Sequence, residues 1–212
     1  MCARRVVFAG PSLPPPWPRI PDLEFRAPAA RGDLLRAVDE GARVIGLIDG
    51  VFHQTLAVTP GEVRAAASRG ARLLGGASLG AMRACECPKD MQGVGEIWAA
   101  FVRGELADDE EVAVTFLPDT YELVGYPLVQ VREAARMARV RYSSVADLAS
   151  RFVELVRLLP FQERTLQSLH AAARVLVEAK VPWEELKVWL TAPEFDVKRR
   201  DAIAVVKCVE DG

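Results

Sequence analysis

The sequence predicts an α/β fold: a small parallel, Rossmann-like sheet flanked by helices, with a helical C-terminal region. Over the first ninety residues, continuous apolar runs alternate with helical patterns, as is typical of parallel sheets covered on both faces. Beyond residue 127, the apolar residues have helical spacing, and prolines separate the segments. We therefore predict an α/β core over residues 1–127 and a helical region over residues 128–212. The helical region would pack on the core, either as a second domain or as part of a single one.

Each predicted element has a local reason. Apolar runs that stop at glycine or aspartate predict strands over residues 6–9, 44–48 and 73–74. Helical spacing predicts intervening helices over residues 33–40 and 59–68, and the second has Thr59 as N-cap and Pro60 at its first position. The C-terminal helical patterns cover residues 128–140, 144–158, 162–180, 183–190 and 197–206.

The composition excludes several classes of protein. The 212 residues carry 27 Lys and Arg against 29 Asp and Glu, and this near-neutral balance argues against a general nucleic-acid binder. No stretch of about 18 uncharged apolar residues is present, and the first apolar run is too short for a signal peptide, so we expect a cytoplasmic protein with no membrane partner. The four cysteines lack C-x-x-C spacing, so we expect neither a metal site nor a disulfide framework, and no cofactor is indicated.

The strongest chemical signal is the G-x-S-x-G segment Gly76-Ala77-Ser78-Leu79-Gly80, which lies between an apolar pair and a helical pattern. In a strand–turn–helix of this kind, the serine sits at a strained backbone position and presents its hydroxyl at the carboxyl end of the strand. The Leu79 N–H would then point towards a developing oxyanion. The alternative is a glycine-rich turn that binds an anion or nothing, with Ser78 only as the helix N-cap.

A serine nucleophile needs a base. His53 follows the second predicted strand and could face the same crevice, whereas His170 has the spacing of a packing residue within a helix. No Ser–His–Asp triad is evident, so lysine is the other candidate. The lysines are Lys89, Lys180, Lys187, Lys198 and Lys207.

The ends of the predicted strands locate the expected site. Ligands of parallel sheets bind beyond the carboxyl ends of the strands. We therefore expect Gly10, Ser12, Asp49 and Gly50 to lie with Ser78 at one edge of the sheet. The Gly10 or the Gly50 loop would supply a second N–H for the oxyanion.

Five segments follow one another in an order that is specific as a set. They are residues 8–12 (FAGPS), 48–52 (IDGVF), 76–84 (GASLGAMRA), 91–97 (MQGVGEI) and 109–114 (DEEVAV). The set resembles the TfuA-like family. The resemblance implies a partner of YcaO enzymes, which activate a peptide backbone amide with ATP so that sulfur replaces the amide oxygen. It also implies that the protein releases sulfide from a ThiS-like sulfur carrier bearing a C-terminal thiocarboxylate, using a hydrolase-like Ser–Lys pair.

Ser78 matches the serine of this family, but the lysine is not where many relatives have it. Those relatives have a His-Lys-Glu stretch where this chain has Pro60-Gly61-Glu62. We therefore expect Lys198 to be the base, with His53 as second choice. Arg83, which is always protonated, could bind a carboxylate terminus. The alternatives are a non-catalytic adaptor that docks YcaO and its peptide substrate, and an unrelated small serine hydrolase.

Overall fold

The computed structural model describes residues 4–51 and 56–211, and the chain divides into two compact units. The first unit comprises Met1–Asp109 and Lys198–Gly212, and the second comprises Glu110–Val197. The first contains a five-stranded parallel sheet with flanking helices, which confirms the predicted α/β class. The second unit begins at Glu110 and not at residue 128, and the last helix of the chain belongs to the sheet-containing unit.

The elements of the first unit alternate along the chain. The strands are β1 (Arg4–Phe8), β2 (Leu23–Arg26), β3 (Ala42–Leu47), β4 (Arg72–Gly76) and β5 (Gln92–Val94). The helices are α1 (Asp33–Asp39), α2 (Pro60–Ser68), α3 (Leu79–Glu86), α4 (Glu96–Val102) and, at the end of the chain, α10 (Val197–Glu210). Thr59 caps α2 as predicted, since its side chain accepts from the Glu62 N–H.

The strand order is β2-β1-β3-β4-β5, and all neighbours are parallel. From β1 the chain moves outwards to β2 and then crosses to the other side of β1 to form β3. The connections leaving β1 and β3 therefore diverge, and such a switch point opens a crevice at the carboxyl ends of the two strands. The residues following these strands are the ones that the sequence singled out.

Helices cover both faces of the sheet. On one face, apolar residues of α1, α2 and α3 pack on β1, β3 and β4. On the other face lies α10, whose Val205 and Val209 belong to a cluster with Val7 and Leu74. Gly46 permits the close approach of α10, since a Cβ there would lie 3.0 Å from Val209 Cγ2. This packing explains why α10 belongs to the α/β unit.

The second unit is helical. Its helices are α5 (Leu128–Arg141), α6 (Ala146–Arg157), α7 (Leu166–Ala172), α8 (Arg174–Glu178) and α9 (Trp183–Thr191). Their apolar faces form one core that includes Phe152, Leu169 and Leu176. Arg164 is fully buried, and its guanidinium donates to the Glu110 carbonyl at 2.7 Å and to the Glu110 carboxylate at 2.8 Å. Over the described residues of both units, no helix is long and apolar enough to cross a membrane.

Candidate functional site

The turn between β4 and α3 presents Ser78. The strand ends at Gly76 and the helix begins at Leu79, which is the predicted strand–turn–helix. Ser78 occupies the N-cap position with φ −129° and ψ −123°, yet its side chain makes no capping hydrogen bond. The residue of the turn in the left-handed region is Ala77, with φ 63°. Ser78 is only 3% exposed, and its hydroxyl remains available for a role other than capping.

Close backbone packing fixes this turn against the end of β3. The Gly80 N–H donates to the Ile48 carbonyl at 3.3 Å. A Cβ on Gly80 would lie 1.7 Å from the Leu47 carbonyl oxygen, so only glycine allows α3 to begin here. The first turn of α3 is thereby held beside the residues that follow β3.

Asp49 organises the crevice between β1 and β3. Its Oδ2 accepts from the Gly10 N–H and the Ser12 N–H, each at 2.9 Å, and its Oδ1 accepts from the Ser12 hydroxyl at 2.6 Å. Asp49 and Ser12 are 1% and 2% exposed. The carboxylate therefore shapes the loop after β1. The Gly10 N–H already has an acceptor, so the expectation that it could stabilise an oxyanion is wrong.

Gly50 lies directly against the Ser78 turn. A Cβ on Gly50 would stand 2.1 Å from Leu79 Cδ2 and 3.2 Å from Leu79 Cβ. Within the described part of the chain, neither the Gly50 N–H nor the Leu79 N–H has an assigned acceptor. Gly50 and Leu79 are thus neighbouring residues at the carboxyl edge, and their N–H groups remain the candidate donors to an oxyanion.

The first turn of α10 reaches the same edge. Along α10, Val209 contacts Gly46 in the middle of β3, and Val205 lies 2.7 Å from where a Gly76 Cβ would be. The helix therefore runs antiparallel to the strands, with its N-terminal end towards their carboxyl ends. Lys198 precedes Val205 by seven residues, or about 10 Å, which is two turns along the same face of the helix. It is 4% exposed and lies in the first turn of α10, at the helix end that points towards the carboxyl ends of the strands.

Asp201, one turn after Lys198, fastens α10 to the start of α4. Its carboxylate accepts from the Glu96 N–H at 3.0 Å and the Ile97 N–H at 2.8 Å. Gly95, with φ +94°, makes room for it, since a Cβ there would lie 2.2 Å from Asp201 Cγ. Burial raises the pKa of the Asp201 carboxyl, and the two backbone hydrogen bonds oppose that rise. Sequence reasoning missed Asp201, because its partners lie about a hundred residues away.

Two other predicted site residues have different positions. Arg83 Nε donates to the Val58 carbonyl and its Nη1 to the Glu86 carboxylate, both at 2.7 Å, so the guanidinium ties α3 to the chain before α2. His53 lies outside the described residues. Among the described residues, no group of three or more His, Cys, Asp or Glu side chains could hold a metal ion.

Comparisons with known proteins agree with the segments noted in the sequence. A comparison with curated protein sequences finds no match. A family model described as TfuA-like protein matches residues 49–165, which is more than half of the chain. The matched region includes Asp49, Gly50 and the Ser78 turn, and it ends before Lys198. The chain therefore belongs to the TfuA-like family, which takes part in thioamidation and is associated with YcaO-linked systems.

Proposed function

We propose that this protein hydrolyses the C-terminal thiocarboxylate of a ThiS-like sulfur-carrier protein, releasing sulfide for YcaO-dependent thioamidation of a peptide backbone, and that it assists YcaO. The observation that carries the proposal is the Ser78 turn itself. A buried serine that does not cap its helix is followed by Leu79, and Gly50 packs against Leu79. A hydroxyl nucleophile with two backbone N–H groups nearby that have no acceptor among the described residues suits acyl transfer.

In the proposed first step, Ser78 Oγ attacks the carbonyl carbon of the thiocarboxylate. Negative charge develops on the carbonyl oxygen, and the Leu79 and Gly50 N–H groups donate to it. The C–S bond then breaks, so that the serine carries the carrier's acyl group as an ester and sulfur leaves as hydrosulfide.

Lys198 takes the proton from the Ser78 hydroxyl and passes it to the departing sulfur. Its position supports this role, since it lies in the first turn of α10 at the carboxyl edge, in a buried environment. In the second step, water attacks the ester with the same base. The net reaction consumes one water and gives a carboxylate, hydrosulfide and one proton.

A non-catalytic adaptor is the second candidate, and Gly61 favours it. Gly61 lies in the first turn of α2 where many relatives have lysine, and a Cβ there would meet nothing closer than 3.7 Å. A lysine would fit at this position, yet the chain lacks it. In the adaptor, the Ser78 turn would bind the carboxyl terminus of a partner without cleaving it.

Sulfide release from a thiocarboxylated ThiS-like carrier separates the two candidates. We expect wild type to release sulfide, Ser78→Ala to lose the activity, and Lys198→Ala to lower the rate about 10²- to 10⁴-fold. Lys207→Ala, which removes an exposed lysine from the same helix, is the matched control and should retain the wild-type rate. If wild type releases no sulfide, or if Ser78→Ala matches wild type, the hydrolase is wrong. A Gly61→Lys variant that gains activity over an inactive wild type would establish the adaptor.

A further inference from the structure

A second feature of the α/β unit lies outside the Ser78 turn: a cavity of about 580 Å³ beside β5. Its wall is apolar where Leu73, Met91 and Trp98 line it. The Trp98 ring lies against the backbone of β5, since a Cβ on Gly93 would stand 2.1 Å from two of its ring atoms. The cavity can therefore accept an apolar side chain directly next to this strand.

The rim of the cavity is positively charged. Arg72 and Lys89 are both exposed, and neither forms an ion pair with an acidic residue among the described residues. Arg72 is held only by a hydrogen bond of 3.2 Å to the Gln92 side chain. Of the described residues that line the cavity, Asp90 alone is acidic. The rim thus favours a ligand that carries negative charge beside an apolar group.

The cavity adjoins an open edge of the sheet. In the strand order of the described residues, β5 is terminal, so its outer side has no neighbouring strand. Gln92 on this strand is exposed. Gly93 is half-buried and Val94 is buried, so the accessible part of this edge is at Gln92. Terminal strands offer N–H and C=O groups on their outer side, and extended peptides bind such edges by adding a strand.

The direction of the sheet links this edge to Ser78. A segment that adds parallel to β5 ends at the carboxyl edge, two strand spacings or about 10 Å from the line of β4. The Ser78 turn follows β4 at that edge. The distance from Gln92 to Gly95 is three residues, or about 10 Å of strand, and crossing two strand spacings to β4 takes about three residues more. A side chain in the cavity therefore lies about six or seven residues before a terminus that reaches Ser78.

We infer that the C-terminal tail of the sulfur carrier docks as a sixth, parallel strand on β5. This inference depends on the proposed function for the identity of the tail. An apolar side chain about six or seven residues from the end enters the cavity beside Trp98, and acidic residues further upstream lie at Arg72 and Lys89. The thiocarboxylate is then delivered to the carboxyl edge, where it turns inwards to Ser78.

The test measures binding rather than hydrolysis, so that it is independent of the proposed chemistry. The probe is a fluorescein-labelled peptide with an ordinary terminal carboxylate, a valine seventh from the end and two acidic residues before the valine. Fluorescence anisotropy gives its Kd for wild type, the double variant Arg72→Glu/Lys89→Glu, and the control Arg19→Glu. Arg19 is exposed and precedes β2, at the opposite end of the strand order.

We expect the double charge reversal to weaken binding about tenfold at low salt, with Arg19→Glu close to wild type. Two further peptides carry N-methyl groups on the two alternate sets of amides. An added strand pairs with β5 only through the amides on one of its own two edges. The peptide methylated on that edge should lose binding, and the peptide methylated on the other edge should retain it. Equal binding by both methylated peptides, or no effect of the double reversal, would overturn the docking mode. Binding as expected by a protein that releases no sulfide would leave the docking mode standing and reject the hydrolase.

Discussion

Replacing Asp49 with alanine should strongly destabilise the α/β unit, because one buried carboxylate holds the loop that leaves β1. The carboxylate accepts three hydrogen bonds, from the Gly10 N–H, the Ser12 N–H and the Ser12 hydroxyl. Asp49 is 1% exposed, so in the alanine variant these donors would be buried without their partner. The loss therefore combines the hydrogen bonds themselves with the cost of leaving their donors unsatisfied.

The magnitude follows from the number of donors. Each buried donor without a partner costs about 1–3 kcal/mol, and the Ser12 hydroxyl can rotate to reduce its share. We expect Asp49→Ala to lower the free energy of unfolding by about 4 kcal/mol, and Tm by about 8–16 °C at 2–4 °C per kcal/mol. Asp49→Asn should cost only about 1–2 kcal/mol. The amide oxygen can still accept from both N–H groups, while its nitrogen donates to the Ser12 hydroxyl oxygen.

Urea unfolding monitored by circular dichroism measures these differences, with Ser12→Ala as the matched control. Ser12→Ala removes one of the three hydrogen bonds and should cost about 1 kcal/mol. The double variant Asp49→Ala/Ser12→Ala should be less destabilised than the sum of the single variants, because the residues share a hydrogen bond. The reasoning is refuted if Asp49→Ala is no more destabilising than Ser12→Ala, or if the alanine and asparagine variants unfold together.

Two further predictions concern stability. Gly80→Ala should lower the free energy of unfolding by more than about 4 kcal/mol, because its Cβ would lie 1.7 Å from a backbone oxygen. Gly61→Ala in the first turn of α2 should instead raise the free energy of unfolding by about 0.5–1 kcal/mol. Thermal unfolding measures both variants, and equal Tm values would contradict the packing of α3. Burial raises the pKa of Asp201, so the folded protein holds this proton more tightly than the unfolded chain does. Its stabilising contribution is complete below the ordinary carboxyl pKa of about 3.9 and is lost as the pH rises through the raised pKa. The free energy of unfolding of wild type minus that of Asp201→Asn should therefore fall over that pH window, and a flat difference would contradict the raised pKa.

The local signals of the sequence predicted the elements that surround the site. Continuous apolar runs predicted β1, β3 and β4, and the glycines around Ser78 predicted the turn after β4. Two strands were missed for different reasons. β2 has the sequence LEFR, with charged residues at two of four positions, and β5 has three residues with a central glycine. Neither has the apolar run that identifies a buried strand, since both lie at the edges of the sheet.

The parts of the site that could not be predicted depend on contacts between distant residues. The sequence placed Gly10 and Gly50 on equal terms as oxyanion donors. In the structure the Gly10 N–H donates to the Asp49 carboxylate, and Gly50 therefore becomes the preferred candidate donor. Likewise, helical spacing predicted α10, but its packing on Gly46 and Gly76, which brings Lys198 to the carboxyl edge, has no local signal.

The most direct test of the central claim, that Ser78 attacks the thiocarboxylate, is the intact mass of the protein after a rapid acid quench with a thiocarboxylated ThiS-like carrier. An acyl-serine intermediate predicts an adduct with the summed mass of the protein and the carrier minus one H₂S, located on the peptide that contains Ser78. The adduct should be absent from Ser78→Ala. Sulfide release at the wild-type rate by Ser78→Ala, with no adduct in either protein, would contradict the account.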